Sequence, residues 1–158
     1  MPGNKFENFS PQYVLLHTLS HALIRQLAME CGYTTSSISE RIYSTYRADD
    51  RKMSGILLYT SSSDSDGSLG GLVRRGRPEN LKVTLDGALS SATWCSSDPL
   101  CIESREQGYK SLNYAACHAC SLLPETSCEM RNCLLDRVSL MGMPDDTGLG
   151  YFSAAESI

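Results

Sequence analysis

The strongest hydrophobic pattern in the chain lies near its start. Leucines recur at spacings of three and four between residues 16 and 27, and other apolar side chains widen the stripe. Ser10 is suited to cap a helix, Pro11 to its first turn and Gly32 to its end. The pattern therefore predicts a largely buried helix from about Pro11 to Cys31.

Further along, the pattern predicts short helices and one strand. Residues 54–61 form a short apolar run bounded by glycine and serines, which is typical of a buried strand. The tail 143–158 is rich in glycine and aspartate and is predicted to be loosely ordered. The predicted helices cover Ser39–Tyr46, Leu69–Arg75, Pro78 to about Trp94, and Glu125 or Cys128 to about Met141.

A single strand leaves the predicted sheet incomplete. A buried strand needs neighbours on both edges, because short helices do not satisfy its backbone groups. Either weak strands lie between Tyr33 and Tyr46, or a partner chain or domain completes the sheet. The expected fold class is a mostly helical α/β domain, folded over residues 11–142 of a single 158-residue unit.

The composition of the chain limits the classes of function that it can have. The chain is 41% apolar and 20% charged, which is typical of a globular protein. Its net charge of -4 argues against nucleic-acid binding through a global basic field. A local cluster at Arg74, Arg75 and Arg77 is either a DNA contact or a solvated helix end. The absence of a long apolar segment or a signal peptide predicts a cytoplasmic location.

Seven cysteines carry the clearest chemical signal. In a reducing compartment a cluster of cysteines indicates a metal site, and the Cys117–Cys120 spacing lets two thiolates bind one ion. The alternatives are a redox pair or scattered buried thiols, and Cys31 and Cys133 are expected in the core. The preferred zinc ligands are Cys101, Cys117, Cys120 and Cys128, with Cys95 in reserve.

Two histidines suggest a rival chemistry. His17 and His21 lie four residues apart on the first predicted helix, so they share a face. They are either hydrogen-bonded in a polar notch or part of a second metal site or an acid–base pair. Together with Asp64 and Asp66, from a glycine-rich loop without a phosphate-binding lysine, they define an alternative metal-dependent nuclease. The chain contains no Walker motif, so ATP hydrolysis is not expected of it.

The ordered series of segments resembles a known family. It resembles the zinc-binding domain that ends the MrfA-type DNA-repair helicases, and more closely the matching region of DrmB in the DISARM anti-phage system. The segments that carry the resemblance are Leu16–Leu23, Gly55–Gly71, Leu69–Leu72, Cys95, Asp98–Cys101, Asn113, Ala116–Cys120, Pro124–Glu129, Asn132 and Leu135–Arg137.

The resemblance implies zinc held by cysteines and a role in DNA transactions. It also implies a partner, since such domains usually belong to proteins that carry or assist a superfamily 2 helicase. The expected function is a zinc-stabilised accessory module in phage defence or DNA repair, not itself catalytic. The expected partner is a helicase or another protein of the same complex, with DNA contacted through that partner and no membrane involved.

Overall fold

The computed structural model describes residues 9–44, 53–60 and 70–153. Within these ranges it contains five helices and one two-stranded antiparallel sheet. The elements are α1 (Pro11–Cys31), β1 (Ile38–Ser44), β2 (Ser54–Thr60), α2 (Gly70–Arg75), α3 (Pro78–Ala92), α4 (Leu100–Glu103) and α5 (Arg137–Met141). None of the helices in these ranges is long and apolar enough to cross a lipid bilayer.

The predicted bounds and caps of α1 are confirmed. The Ser10 side chain accepts a hydrogen bond from the backbone N–H of Tyr13 at 3.2 Å. Gly32 adopts a left-handed conformation with φ of 74° and closes the last turn. The buried face differs from the leucine stripe, because Leu16 and Leu19 are only half-buried whereas several polar side chains are buried. These buried polar residues are His17, Thr18, Ser20 and His21.

Strand β1 corrects the helix predicted over Ser39–Tyr46. It pairs antiparallel with β2, with Ile38 opposite Thr60 and Ser44 opposite Ser54. The alternative of a weak strand hidden between Tyr33 and Tyr46 is thus confirmed. The segment carries the period-two alternation of a strand, since its buried side chains at Ile38 and Ile42 share one face.

The sheet is packed on one face and partly exposed on the other. Its inner face lies on α1, where the core cluster consists of Ile24, Leu27, Tyr33, Ile38 and Leu123. On the outer face Leu57 and Tyr59 are 48% and 46% exposed. The prediction of a fully buried strand over 54–61 is therefore wrong, because a two-stranded sheet with one helical layer covers only one face.

The chain after α3 has little regular structure. Helices α2 and α3 match their predictions, but the helix predicted from Glu125 or Cys128 is wrong over most of its length. Only Arg137–Met141 is helical, and residues 124–136 form turns with positive φ at Arg131, Asn132 and Leu134. These left-handed residues prevent a continuous helix.

Residues 143–153, part of the tail predicted to be loosely ordered, make backbone hydrogen bonds to α5. The backbone N–H of Tyr151 donates to the carbonyl of Ser139 at 2.9 Å, and that of Phe152 donates to the carbonyl of Leu140 at 2.9 Å. The segment thereby folds back onto α5. Residues 154–158 lie outside the described ranges.

Candidate metal centre

Four cysteines from two segments, residues 95–101 and 117–120, converge next to the end of α3. Cys95 follows the helix, Cys101 lies in α4, and Cys117 and Cys120 form a tight knuckle. Their four sulfur atoms all lie within 4.8 Å of one another. The Sγ–Sγ distances are 3.6 Å between Cys95 and Cys117, 3.8 Å between Cys101 and Cys120, and 3.8 Å within the knuckle.

These distances fit one tetrahedral zinc ion. Four sulfurs at about 2.3 Å from a central ion form a tetrahedron with edges of about 3.8 Å. The sulfur–sulfur distances of 3.6, 3.8 and 3.8 Å match that edge to within a few tenths of an ångström. The four thiols form no disulfide. The cluster is thus positioned to bind a metal ion with all four ligands supplied by the protein.

Short-range hydrogen bonds orient the sulfurs. The backbone N–H of Cys117 donates to Cys120 Sγ at 3.3 Å, and that of Ser97 donates to Cys95 Sγ at 3.4 Å. The Ser121 hydroxyl also donates to Cys120 Sγ at 3.3 Å. Arg25 of α1 donates to the knuckle carbonyl of Ala119 at 2.8 Å, which ties the knuckle to the first helix. Donors of this kind orient thiolates and offset part of their charge.

An ion pair between buried Arg137 and half-buried Asp98 supports the turn that carries Cys95 and Cys101. Asp98 accepts the backbone N–H groups of Cys95 at 2.9 Å and Ile102 at 3.0 Å. The Arg137 guanidinium holds both carboxylate oxygens of Asp98, at 2.6 and 3.1 Å, and is only 2% exposed. Burial would raise the pKa of Asp98, but the bonds from Arg137 and the two amides lower it. Asp98 thus remains ionised beside the cluster.

The pKa values of the thiols in the cluster are shifted in different directions. Burial and the neighbouring thiols of Cys117 and Cys120 raise the pKa of Cys101. Burial also acts on Cys117, but the backbone N–H groups of Ala119 and Cys120 outweigh it and lower the pKa. A cation at the centre would favour the thiolate form of all four, because it stabilises their negative charge.

The preferred ligand set from the sequence differs from the set that the structure brings together. Cys101, Cys117 and Cys120 converge as expected, but the fourth sulfur is that of Cys95. Cys128 lies elsewhere, because residues 124–129 run beside β1 instead of entering a helix. The backbone N–H of Glu40 in β1 donates to the carbonyl of Ser127 at 3.1 Å, which fixes this course.

Cys128 instead lies beside the two histidines of α1. His17, His21, Cys128 and Glu40 place their ligand atoms within 4.8 Å of one another, and all four residues are buried. Sequence reasoning did not single out Glu40. The signal was present, because Glu40 lies between Ile38 and Ile42 on the inward face of an alternating strand. Asp64 and Asp66 of the nuclease hypothesis lie outside the described residues.

The three arginines do not form one uniform patch. Arg74 and Arg75 end α2, and Arg77 precedes α3. Arg75 pairs with Glu30 of α1 at 3.3 Å, whereas Arg74 and Arg77 form no ion pair within the described ranges. Both of the latter are exposed. The cationic surface thus consists mainly of Arg74 and Arg77.

Comparison with known proteins identifies the domain type. Residues 19–121 match the family model of the MrfA Zn-binding domain. The chain is 44% identical over 140 residues to the DISARM protein DrmB of Bacillus paralicheniformis (strain ATCC 9945a / NCIMB 11709 / CD-2). The aligned part covers 89% of this chain and 24% of that relative, so the chain spans about a quarter of its length. The family match contains all four cysteines of the cluster.

Proposed function

Since the chain belongs to the MrfA Zn-binding domain family, we propose that it is a zinc-stabilised interaction module of a DISARM-type defence complex. It acts by contacting a helicase or another protein of that complex and is not itself catalytic. Its zinc is held by Cys95, Cys101, Cys117 and Cys120. The observation that carries the proposal is a four-thiolate cluster in a chain 44% identical to a DISARM protein.

The ligand chemistry supports a structural role for the metal. Four cysteine ligands complete the tetrahedral shell of zinc, so no position remains for water or substrate. Such a site stabilises the folded chain, because its ligands converge only after folding. A redox pair would need two thiols, whereas here four lie within 4.8 Å of one another. The nuclease hypothesis gains no support, because both imidazoles are fully buried and do not face a substrate.

The outer face of the sheet offers a surface for a partner. Tyr43, Leu57 and Tyr59 lie on this face and are 39%, 48% and 46% exposed. Arg41 lies opposite Leu57 on the same face and pairs with Glu129 at 2.7 Å, which leaves a charged rim beside the apolar centre. An apolar centre with a polar rim is the usual anatomy of a protein interface.

A binding measurement with a matched control tests this proposal. The partner probe is a purified superfamily 2 helicase of a DISARM-type complex, and the readout is Kd by biolayer interferometry. Leu57→Lys with Tyr59→Lys should weaken binding at least about tenfold, because two apolar contacts become desolvated charges. Val83→Lys on α3, where Val83 is 58% exposed, should leave Kd unchanged.

Two results would contradict the proposal. One is a wild-type chain that shows no affinity for the helicase or for the other proteins of the complex. The other is equal Kd values for the sheet variant and Val83→Lys, which would exclude the sheet as the docking surface. Circular dichroism of each variant checks that the fold is retained.

A further inference from the structure

A second group of metal-ligand side chains lies in the core, apart from the four cysteines. His17 and His21 come from α1, Glu40 from β1 and Cys128 from the turn after Pro124. Their ligand atoms lie within 4.8 Å of one another. The side chains of both histidines and of Glu40 are 0% exposed. Buried groups of this kind need compensation, since an uncompensated charge or unpaired polar atom is costly in the interior.

The backbone fixes which nitrogen of each ring faces the group. His21 donates its Nδ1–H to the carbonyl of Ser121 at 2.8 Å, and His17 donates its Nδ1–H to the carbonyl of Leu134 at 3.3 Å. The Nε2 atoms of both rings therefore point inward, toward Glu40. Imidazoles that bind metals are oriented in this way by a second hydrogen bond from the opposite nitrogen.

The inward atoms lie close to one another. His17 Nε2 lies 3.0 Å from Glu40 Oε1 and 3.2 Å from Cys128 Sγ. His21 Nε2 lies 3.5 Å from the same carboxylate oxygen. Within the described ranges His21 Nε2 and Glu40 Oε1 have no hydrogen-bond partner. Ser20 donates to the other oxygen, Oε2, which leaves Oε1 directed at the rings.

The charges of the group favour a divalent cation. The group offers one carboxylate, one thiol and two imidazole nitrogens, which are donors that zinc accepts. A divalent ion stabilises the thiolate, and one carboxylate with one thiolate would then neutralise its charge.

We propose that His17, His21, Glu40 and Cys128 form a second zinc site, distinct from the four-cysteine cluster. Zinc bonds of about 2.0–2.3 Å give tetrahedral edges of about 3.3–3.6 Å between nitrogen, oxygen and sulfur ligands. The distances of 3.0, 3.2 and 3.5 Å lie near that range. Two nitrogens and a sulfur exclude magnesium and calcium, which prefer oxygen ligands.

This site would join parts of the chain that the four-cysteine cluster does not reach. It fastens α1 and β1 to the turn at Cys128, whereas the cluster holds residues 95–120. The matched family region 19–121 contains His21 and Glu40 but neither His17 nor Cys128. Only two of the four proposed ligands therefore lie in the region that matches the family model.

Metal count and ligand type in the unaltered chain test the proposal. The chain is saturated with Zn²⁺, freed of excess ion by gel filtration and weighed by native mass spectrometry. Two zinc ions per chain are expected, and one ion would overturn the proposal. X-ray absorption at the zinc edge should show about 2.5 sulfur and 1.5 nitrogen or oxygen ligands per zinc, the average of both ligand sets. A shell of about four sulfurs would overturn it too.

A matched pair of variants locates the second ion. Cys128→Ser should lose one zinc and shift the remaining shell to sulfur only, whereas Cys133→Ser should keep both ions. Cys128 and Cys133 are buried to similar degrees, at 7% and 3% exposure, so the pair separates ligation from packing. Two ions retained by Cys128→Ser would contradict the assignment. If Cys128→Ser fails to fold, the count and spectrum of the unaltered chain still decide.

Discussion

At the scale of single residues, Asp98 connects the fold to the metal centre. Its carboxylate accepts the backbone N–H of Cys95 and is held by both terminal nitrogens of Arg137. Arg137 also donates to the carbonyl of Ala115 at 3.1 Å, two residues before Cys117. The same ion pair thus contacts both turns that carry the thiols. Removal of one partner leaves a buried charge without compensation.

The prediction at this scale concerns Asp98→Asn. The change keeps the side-chain volume but removes the charge that faces Arg137, so the free energy of unfolding should fall by about 3 kcal/mol. Asp86→Asn breaks an exposed pair with Lys82 and should cost less than about 1 kcal/mol. Urea unfolding at fixed free zinc, followed by circular dichroism, measures both. Equal losses in the two variants would show that the buried pair does not support the site.

The ligands of the site were predictable from the sequence where they lie close together in the chain, and less so where distant segments meet. The Cys117–Cys120 pair follows from local spacing, and it lies in the cluster. The choice between Cys95 and Cys128 depended on the course of residues 124–129, which a hydrogen bond from Glu40 to Ser127 fixes. No local pattern encodes that contact. Glu40 was missed because its segment was assigned to a helix, which hid its inward position on an alternating strand.

At the scale of elements, the residues that cap helices predicted the structure better than the intrinsic preferences of residues inside the elements. Helix α1 begins and ends where Ser10, Pro11 and Gly32 predict. The segment 38–44 was assigned to a helix, but pairing with β2 and burial of alternate side chains determine its conformation. Tertiary context overrides weak intrinsic preference in such short segments. The last helix was overextended because the left-handed residues 131, 132 and 134 carry no glycine to mark the break.

The prediction at this scale concerns the cap of α1. Ser10→Ala removes the side-chain acceptor for the Tyr13 N–H and leaves only the Ser10 carbonyl at 2.9 Å, so the free energy of unfolding should fall by about 1 kcal/mol. Ser10→Asp retains an acceptor and should stay within about 0.5 kcal/mol of the unaltered chain. The midpoint of urea unfolding gives both values. A Ser10→Asp variant as unstable as Ser10→Ala would mean that Ser10 acts through another contact.

At the scale of the whole molecule, regular structure is unevenly distributed. The first half is built from α1 and the sheet around a compact apolar cluster. Residues 95–136 contain only the four-residue α4, a short 3-10 helix at Tyr109–Ser111 and turns. The apolar cluster beside them is small and consists of Ile102, Ala115 and Val138 of α5. Bound zinc supplies folding free energy in such regions, on the order of 10 kcal/mol for structural sites. The metal thus takes the place of a larger core.

The measurement that tests this account most directly compares the zinc content of Cys95→Ser with that of Cys133→Ser. Both sulfurs are buried to 3% exposure and both changes are the same, so the pair isolates ligation. After dialysis against a competing chelator, elemental mass spectrometry should show that Cys95→Ser has lost the zinc of the four-cysteine cluster. Its affinity for that ion should fall more than about 100-fold, whereas Cys133→Ser should match the unaltered chain. Equal zinc content in the two variants would contradict the assignment of Cys95 and the four-thiolate centre built on it.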